Sequence, residues 1–448
     1  MSKNNSSIMD KFIMAAAKIG QQRHLGAIRD GFVTLMPLMI VGSIVTLINN
    51  FPISTGSSGG KQFLKEILAE NKFMSWLTDL NGNVWWGTFG MLSILAVVTI
   101  AYYLAKSYDS DSLSAAIISL ASFMCAVPQM AIFALEDGTE AAGWGFINYN
   151  YVNASGLFVA IAIALISTEI FVRLSKSGKL VIKMPEGVPP AVSRSFAALL
   201  PGMLTVLAVT FVTVMIGKIA SQNIFDLITE TIMNPLTKSS GSLAFGLIIV
   251  FLTHLLWAFG IHGPNIFEGI LQPLNVNAIA TNTELLAAGA TTGFVIFNKS
   301  FLDAFVYMGG SGVGLGLIIA ILLVGKSKQN RMVARLGAAP ALFNINEPVL
   351  FGLPIVLNPI FVVPFVLGPI ICLIIAYGAT AIGFLPVARA VIPWTTPPIL
   401  SGLFVTGFAW QGPVIQVINL ALSILIYIPF VKIADKAEMK KEGNQATA

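Results

Sequence analysis

Charge and cysteine are both scarce in this sequence. Only 10% of its 448 residues are charged, against about 25% in an average soluble domain, whereas 56% are apolar. With a mean hydropathy of +0.81, the chain has too few polar residues to cover a water-facing surface. This excludes a soluble enzyme, an extracellular scaffold and a disordered protein. What remains is an integral membrane protein.

Patterns for metals and nucleotides are missing as well. Cys125 and Cys372 are too few for a disulfide framework or a thiolate metal site, and three histidines cannot form a His-rich site. The sequence has no P-loop, no G-x-G-x-x-G after a strand and no H-E-x-x-H. We therefore expect no metal, no cofactor and no ATP-driven pumping by this chain alone. The net charge of +5 comes from bases between apolar runs, which indicates a membrane face rather than nucleic acid.

Long apolar runs are what the sequence has instead. A helix needs about 20 apolar residues to cross a bilayer. Nine runs of this kind cover 31–50, 85–105, 113–133, 155–174, 195–216, 241–262, 307–325, 361–383 and 413–432. Basic residues cluster before the first run, at Lys106, from Arg173 to Arg194, from Lys326 to Arg335 and from Lys432 onward. The positive-inside rule places these clusters and both termini in the cytoplasm.

Two stretches in the second half are too polar or too broken for plain spans. Because 241–262 and 307–325 must both end in the cytoplasm, one further crossing has to lie within 263–306, which gives about ten crossings. The stretch 338–360 is rich in Pro, Gly and Asn. Non-helical backbone at membrane depth survives only inside protein or along a wet cavity, so these two stretches point to a binding site.

The sequence thus predicts an all-α polytopic membrane protein. The segments 8–20 and 61–78 carry apolar residues at helical spacing, so we expect interfacial amphipathic helices there. The four predicted parts are a cytoplasmic amphipathic segment (1–30), an N-terminal transmembrane domain (31–220), a substrate-binding domain (221–432) and a disordered cytoplasmic tail (433–448).

Glu347 is the strongest candidate for chemistry. It lies in the motif N-I-N-E-P that begins at Asn344, and Asn346 of the same motif is a candidate for substrate binding. A carboxylate among apolar runs costs about 2.5–3.5 kcal/mol and is normally paired or functional. Pro348 and Pro354 break the helix and free backbone groups to face a cavity. The alternative interpretation is a helix-end carboxylate in interfacial water.

Histidine and tryptophan recur beside the broken stretches. His262 has a glycine on each side within two residues, so a ligand can approach it closely, whereas a satisfied core histidine is the alternative for both His254 and His262. Trp257 and Trp394 lie next to polar, Pro/Gly-broken sequence. Their faces can stack on sugar rings, although a tryptophan in a membrane protein is often only an interfacial anchor.

Four further polar residues have two interpretations each. Lys299 and Asp303 are four residues apart, which favours a helical ion pair but also allows a pair that orients a substrate. Asn148 and Asn150 are either loop residues outside the membrane or ligands of a substrate. The sequence alone leaves both questions open.

The sequence resembles a known family. It is similar to enzyme IIC, the membrane component of the bacterial phosphoenolpyruvate-dependent sugar phosphotransferase system, in its lactose/cellobiose/diacetylchitobiose branch. The resemblance runs through most of the chain. It rests on HLGAIRDGFVTLMPLMIVGSI (24–44), PEGVPPAVSRSFAALLPG (185–202), WAFGIHG (257–263), FLDAFVYMGGSG (301–312), NINEPVLFGLPIVLNP (344–359) and PWTTPP (393–398).

The resemblance implies a homodimer of ten-helix subunits, with most of the dimer contact in the N-terminal half. The C-terminal half would hold one disaccharide between two re-entrant hairpins. In the family, the Glu of N-x-N-E-P and the His of G-I-H-G bind the sugar hydroxyl that becomes phosphorylated, which here are Glu347 and His262. Trp257, Trp394 and one of Asn148 and Asn150 correspond to residues of the sugar pocket.

The implied mechanism is group translocation. A disaccharide of the cellobiose or diacetylchitobiose type binds from outside, and the binding domain moves to face the cytoplasm. A separate IIB protein, charged through IIA, HPr and enzyme I, transfers phosphate from its phosphocysteine to the sugar 6-hydroxyl. We expect a buried Glu347 to accept the hydroxyl proton and His262 to share the hydrogen bond. The chain ends without a IIB domain, which favours cellobiose, diacetylchitobiose or another β-glucoside over lactose.

Two other classes of membrane protein compete with this interpretation. An ion-coupled disaccharide symporter would use Glu347 as a proton carrier, and broken helices fit it equally well. A membrane enzyme acting on lipid-linked sugar would need a metal-binding cluster of carboxylates, whereas Glu347 is isolated in the sequence.

Overall fold

A computed structural model describes residues 22–49, 52–54, 61–63, 75–134, 139–182, 184–185, 187–353, 355 and 358–446. Helices dominate these residues, and the strands form only two-stranded antiparallel hairpins. The all-α class predicted from the sequence is confirmed. The segment 8–20 and Pro354 lie outside the described residues.

The elements up to residue 240 alternate long helices with two hairpins. They are α1 (Arg23–Asn49), β1 (Pro52–Ser54), β2 (Lys61–Phe63), α2 (Ser75–Thr88), α3 (Leu92–Lys106), α4 (Ser112–Ala126), β3 (Met130–Ala134), β4 (Glu140–Trp144), 3₁₀ turns at Tyr149–Tyr151 and Ala154–Gly156, α5 (Leu157–Lys176), α6 (Pro190–Ala220), α7 (Ile224–Ile228), a π-helical turn (Thr229–Met233) and α8 (Asn234–Ser240).

After residue 240 the helices become more uneven in length. They are α9 (Leu243–Ala258), α10 (Gly263–Ala287), α11 (Lys299–Phe305), α12 (Gly314–Val324), α13 (Lys328–Leu342), α14 (Glu347–Gly352), α15 (Pro359–Ala381), α16 (Leu400–Val405) and α17 (Gln411–Ala446).

Among the described residues, six helices are long and apolar enough to cross a membrane. They are Arg23–Thr46, Ser75–Lys106, Ala154–Lys176, Val192–Ala220, Ile360–Ala381 and Gln411–Lys436. Shorter apolar helices cover Ser112–Ala126, Leu243–Ala258 and Gly314–Val324. Each of the nine predicted runs overlaps one of these helices, so the polytopic membrane architecture is confirmed.

Several predicted boundaries are wrong for local reasons. The run 113–133 ends as a helix at Ala126, because Val127 is extended ahead of Pro128 and residues 130–134 pair with 140–144. The predicted interfacial helix over 61–78 begins instead with strand β2, which pairs with β1. The tail predicted to be disordered from 433 continues α17 as far as Ala446.

The run 307–325 begins as a loop rather than as a helix. Gly309, Gly310, Gly312 and Val313 have φ values of 78°, 88°, 74° and 54°, in the left-handed region that a right-handed helix excludes. Residues 307–313 (YMGGSGV) are called the glycine loop below. Helix α12 starts only after this loop, at Gly314.

The chain forms two compact units. The N unit comprises Gln21–Val45 and Ser75–Leu236, and the C unit consists mainly of Thr237–Ala448 with Thr46–Met74. In the N unit, helices α3, α4 and α5 pack through small side chains, among which the Oγ atoms of Ser119 and Ser167 lie 2.6 Å apart. Asp111 caps the N-terminus of α4 by accepting a hydrogen bond from Ser114 N–H.

The C unit has an apolar core that includes Trp257, Leu317, Phe361 and Tyr427. Buried amides cross this core: Gln416 Nε2 donates to Ala304 O at 2.6 Å, and Asn419 Nδ2 donates to Phe305 O at 2.9 Å. The short helix α11 needs such partners because it leaves carbonyl groups unpaired at its end.

One buried carboxylate joins the last helix to the turn between α12 and α13. Asp435, on α17, accepts hydrogen bonds from the backbone N–H groups of Lys326 and Ser327 and, at 3.2 Å, from Asn330 Nδ2. The side chain of Ser327 in turn caps α13. The beginning of α13 is therefore fixed to α17.

Candidate functional site

His262 and Glu347 come together in the C unit, although 84 residues of sequence separate them. His262 directly precedes α10, and its Nδ1 accepts a hydrogen bond from the backbone N–H of Asn265 at 3.3 Å. Glu347 is the first residue of α14. The Nε2 atom of His262 and the Oε1 atom of Glu347 are 3.9 Å apart.

This pair combines a hydrogen-bond donor with an acceptor. Because Nδ1 of His262 accepts, the proton of the neutral ring is on Nε2, which faces the carboxylate of Glu347. A separation of 3.9 Å is too long for a direct hydrogen bond. A hydroxyl oxygen to one side of the line joining the two atoms can lie within hydrogen-bond distance of both, where it can accept from His262 and donate to Glu347.

Both side chains can be reached from outside the protein. The side chain of His262 is 39% exposed and that of Glu347 is 44% exposed. The expectation that Glu347 is buried is therefore wrong. Its position at the start of a helix agrees with one part of the alternative interpretation, a helix-end carboxylate, but its proximity to His262 gives it a partner that this alternative did not include.

Trp257 places a buried donor beside His262. The centroids of the two rings are 4.6 Å apart, and Trp257 is 4% exposed, which is not the environment of an interfacial anchor. Its Nε1 atom is buried without a hydrogen-bond partner among the described residues. Since buried N–H groups nearly always have a partner, this indole N–H stands out as an unsatisfied donor beside His262. Phe351, 62% exposed, lies 6.5 Å from the Trp257 ring.

The side-chain amide of Asn346 is hydrogen-bonded within the protein. It is buried, and its Nδ2 atom donates to the carbonyl of Ser311 in the glycine loop at 2.5 Å. Because Asn346 directly precedes Glu347, this bond holds the backbone from which Glu347 projects. The role supported by the geometry is positioning.

Asn344 is a residue of the site that the sequence analysis did not single out. It has a left-handed φ of 62° and is buried. Its Oδ1 accepts from Gly309 N–H at 2.7 Å, and its Nδ2 donates to the carbonyls of Trp394 and Thr396 at 2.6 Å and 3.0 Å. The available signal was the first asparagine of N-x-N-E-P, since asparagine tolerates this conformation better than most residues.

Trp394 therefore reaches the site through its backbone. Its carbonyl is held by Asn344, and its side chain is 41% exposed. The structure thus joins three segments that are distant in sequence: the glycine loop, the N-I-N-E-P motif and the P-W-T-T-P segment.

Lys299 and Asp303 form the helical ion pair that their spacing allows. Lys299 Nζ lies 2.6 Å from Asp303 Oδ2 and 3.7 Å from Glu268 Oε1, and these side chains are between 9% and 17% exposed. The described contacts of Lys299 join it to these two carboxylates and not to His262 or Glu347. Glu268, on α10, is a partner that the spacing of Lys299 and Asp303 could not reveal.

Asn148 and Asn150 belong to the N unit and are exposed. Asn148 Oδ1 accepts from the backbone N–H of Asn150 at 3.0 Å and so caps a 3₁₀ turn. This is the behaviour of loop residues, and nothing in their contacts separates one from the other as a substrate ligand. His254 is fully buried in the C unit with both ring nitrogens hydrogen-bonded, as the core-histidine interpretation has it.

Comparisons with known proteins agree with this architecture. The Lichenan permease IIC component of Bacillus subtilis (strain 168) is 37% identical over 446 residues, covering 99% of this chain and 96% of that protein. The cellobiose-specific EIIC component of the PTS system of Geobacillus stearothermophilus is 36% identical over 442 residues, covering 98% and 96%.

A solved structure gives the same result. The crystal structure of the transporter ChbC, the IIC component from the N,N'-diacetylchitobiose-specific phosphotransferase system, superposes with a TM-score of 0.89 at 37% identity, covering 97% of this chain and 99% of that one. The family model described as Phosphotransferase system, EIIC matches residues 29–369. The chain therefore belongs to the EIIC family of the phosphotransferase system and is a multi-pass membrane permease component of it.

Proposed function

We propose that this permease imports a β-linked disaccharide of the cellobiose or diacetylchitobiose type and presents its 6-hydroxyl to a separate IIB protein for phosphorylation. Relatives whose names specify lichenan, cellobiose and diacetylchitobiose align over nearly the whole chain, which supports this substrate class. Because these relatives are phosphotransferase permeases, an ion-coupled symporter is not favoured.

The observation that carries the proposal is the separation of 3.9 Å between His262 Nε2 and Glu347 Oε1. A sugar hydroxyl between these atoms would be oriented by a donor on one side and an acceptor on the other. Trp257 would contribute its unpartnered N–H to another sugar oxygen. Trp394 and one of Asn148 and Asn150 are the further sugar-binding residues of the proposal.

The chemical step requires only one proton acceptor from this chain. The sugar O6 forms a bond to the phosphorus of the IIB phosphocysteine, and the S–P bond breaks to release the cysteine thiolate. Glu347 accepts the O6 proton as the bond forms, and His262 donates a hydrogen bond that holds O6 in place. The phosphoryl group comes from IIB, which IIA, HPr and enzyme I recharge. This chain binds the sugar, holds O6 in position and provides the base.

The membrane arrangement completes the proposal. Both termini lie in the cytoplasm, in keeping with the basic clusters, and two copies associate mainly through residues 31–220, while residues 221–432 carry the sugar. Reporter fusions at each terminus would test the orientation. Light scattering of the detergent-solubilised protein would test the dimer.

Transport in membrane vesicles tests the function directly. Right-side-out vesicles that hold this protein and enclose the soluble phosphotransfer proteins are supplied with labelled cellobiose or diacetylchitobiose, and the free and phosphorylated sugar inside them is separated. Phosphorylated sugar that disappears when IIB is omitted supports the proposal. Free sugar that accumulates without IIB and collapses with the proton gradient contradicts it.

Glu347→Gln tests the base. We expect sugar binding to persist while phosphorylation slows by about 100- to 10,000-fold, the usual contribution of a general base. Glu284→Gln is the matched control, because Glu284 is an exposed glutamate of α10 in the same unit. Phosphorylation at the normal rate by Glu347→Gln would exclude the proton-accepting role.

A further inference from the structure

His254 is a buried polar residue that the proposed reaction does not use. It lies on α9 with no exposed surface, and its ring is flanked edge-on by Tyr307 and Phe365, whose centroids are 5.4 Å and 5.2 Å away. These contacts fix the plane of the imidazole.

Two hydrogen bonds fix its protonation as well. Val250 O can only accept, so the His254 Nδ1 that lies 2.6 Å from it carries the proton. Gly312 N–H can only donate, so the His254 Nε2 that lies 2.9 Å from it is unprotonated. The ring is neutral and both of its nitrogens are occupied. Its task is to accept a hydrogen bond from the glycine loop.

The glycine loop is held at several points and in turn holds Glu347. Tyr427 OH donates to Gly312 O at 2.5 Å, which fastens the same residue that His254 binds. The adjacent carbonyl of Ser311 accepts from Asn346. A displacement of Gly312 would therefore move Ser311 and, through its hydrogen bond, Asn346. Asn346 directly precedes Glu347.

Helix α9 carries the other half of the site. Trp257 lies three residues after His254, on the next turn, and its ring contacts that of His262. His254 is thus the point at which the helix leading to His262 is bonded to the loop that supports Glu347.

We propose that His254 is a positioning residue, which fastens the glycine loop to α9 and thereby sets the separation between His262 and Glu347. The proposal rests on the proposed function of that pair. It predicts that the loss of this one acceptor slows phosphoryl transfer while the sugar still binds, since sub-ångström placement affects the reacting atoms more than the remaining contacts.

Three substitutions of His254 separate positioning from simple packing. Phe keeps the ring but accepts no hydrogen bond. Asn places its amide near the position of Nδ1, and Gln places an amide oxygen near the position of Nε2, where Gly312 N–H can donate to it. We expect kcat of IIB-dependent phosphorylation to fall about 10- to 100-fold in His254→Phe and His254→Asn, with KM for sugar changed less than about threefold. His254→Gln should restore kcat to within about threefold of the original protein.

Gly310→Ala tests the same connection without touching His254. A Cβ at Gly310 would lie 2.6 Å from Cγ and Oδ1 of Asn346, and the φ of Gly310 is 88°. We expect the same selective loss of kcat. Gly378→Ala on α15 is the control, because a Cβ there meets no atom within 4 Å.

The outcomes are distinct from those of the functional test. Normal kcat in His254→Asn or His254→Phe overturns the positioning role, as does a parallel loss of sugar binding and thermal stability in all three variants. If His254→Phe does not fold, the Asn and Gln variants together with Gly310→Ala decide. If Glu347→Gln phosphorylates at the normal rate, the proposed role of the His262–Glu347 pair and this inference fall together. If it does not, but the His254 variants do, only this inference falls.

Discussion

The N unit and the C unit bury polar side chains for different purposes. In the N unit they are mostly hydroxyls that return to a carbonyl of their own helix, as Ser122 does to Ile118 O and Thr205 to Pro201 O. The C unit also buries amides that join separate segments, as Asn282 joins Val295 to Ala388. Continuous helices pair their own backbone, whereas interrupted ones leave groups that only a side chain from elsewhere can reach.

The difference teaches where sequence change is tolerated. A hydroxyl bonded within its own helix can be removed without leaving a backbone group unpaired, because the helix already provides that carbonyl with a partner. An amide that joins two segments cannot be removed without leaving buried groups unsatisfied at both ends. Substitutions that remove a buried polar side chain should therefore lower the free energy of unfolding more in the C unit than in the N unit.

The largest contrast is expected between two ion pairs of the same i,i+4 geometry. Lys299→Met would leave Asp303 and Glu268 without their buried cation and cost about 3–5 kcal/mol of unfolding free energy. The side chain of Arg173 in the N unit is 79% exposed and pairs with Glu169. Arg173→Met should therefore lower the free energy of unfolding by less than about 1 kcal/mol. Denaturant or thermal unfolding in detergent would measure both.

A double variant sharpens that contrast. Lys299→Met with Asp303→Leu removes the nearer charge together with its partner, and should recover part of the lost stability. Equal losses of unfolding free energy in Lys299→Met and Arg173→Met would mean that burial does not strengthen the ion pairs of Lys299 relative to the Arg173–Glu169 pair.

An intermediate effect is expected at Asn344. Asn344→Gly keeps the left-handed φ of 62° but removes hydrogen bonds to Gly309, Trp394 and Thr396, for a loss of about 3 kcal/mol at about 1 kcal/mol each. Ser122→Ala in the N unit removes a hydroxyl that bonds Ile118 O of its own helix at 2.8 Å, and should cost about 1 kcal/mol. Melting temperatures of the two purified variants give the comparison, and a smaller loss at Asn344 would show that the segments it joins are held by other contacts.

The smallest effect concerns binding rather than stability. Trp257→Phe keeps an aromatic ring but removes the unpartnered N–H together with part of the indole, so sugar affinity should weaken by about 1 kcal/mol, roughly fivefold. Trp86→Phe in the N unit, where Trp86 is 46% exposed, is the control and should leave affinity unchanged. Equilibrium binding of labelled disaccharide measures both, and unchanged affinity in Trp257→Phe would remove the indole N–H from the sugar site.

Much of the fold could be predicted because hydrophobic runs decide it. All nine runs overlap an apolar helix, and the two stretches singled out as broken do contain the short helices α11 and α14. The prediction failed where a local signal was weaker than the run around it. Pro128 ends α4 inside an apolar run, and the left-handed glycine loop delays the start of α12.

The candidate site was predictable only in part. Glu347 and His262 stand out as polar residues beside broken helices, but their pairing was inferred from family resemblance, because periodicity does not relate positions 85 residues apart. Asn344 and Glu268 were not predicted as site residues, because their partners belong to other segments of the chain. Long-range hydrogen bonds of this kind leave no period in the sequence.

The carboxylate of Asp435 has a practical consequence for engineering the protein. Exposed turns of membrane proteins are the usual places for epitope tags and inserted reporters, because loops tolerate added length. The turn at Lys326 and Ser327 is different, since its backbone is bound by Asp435 and α13 begins directly after it. One added residue there would either break the hydrogen bonds to Asp435 or shift the register of α13. Helix α13 ends at Leu342, five residues before Glu347. We therefore expect this turn to reject insertions.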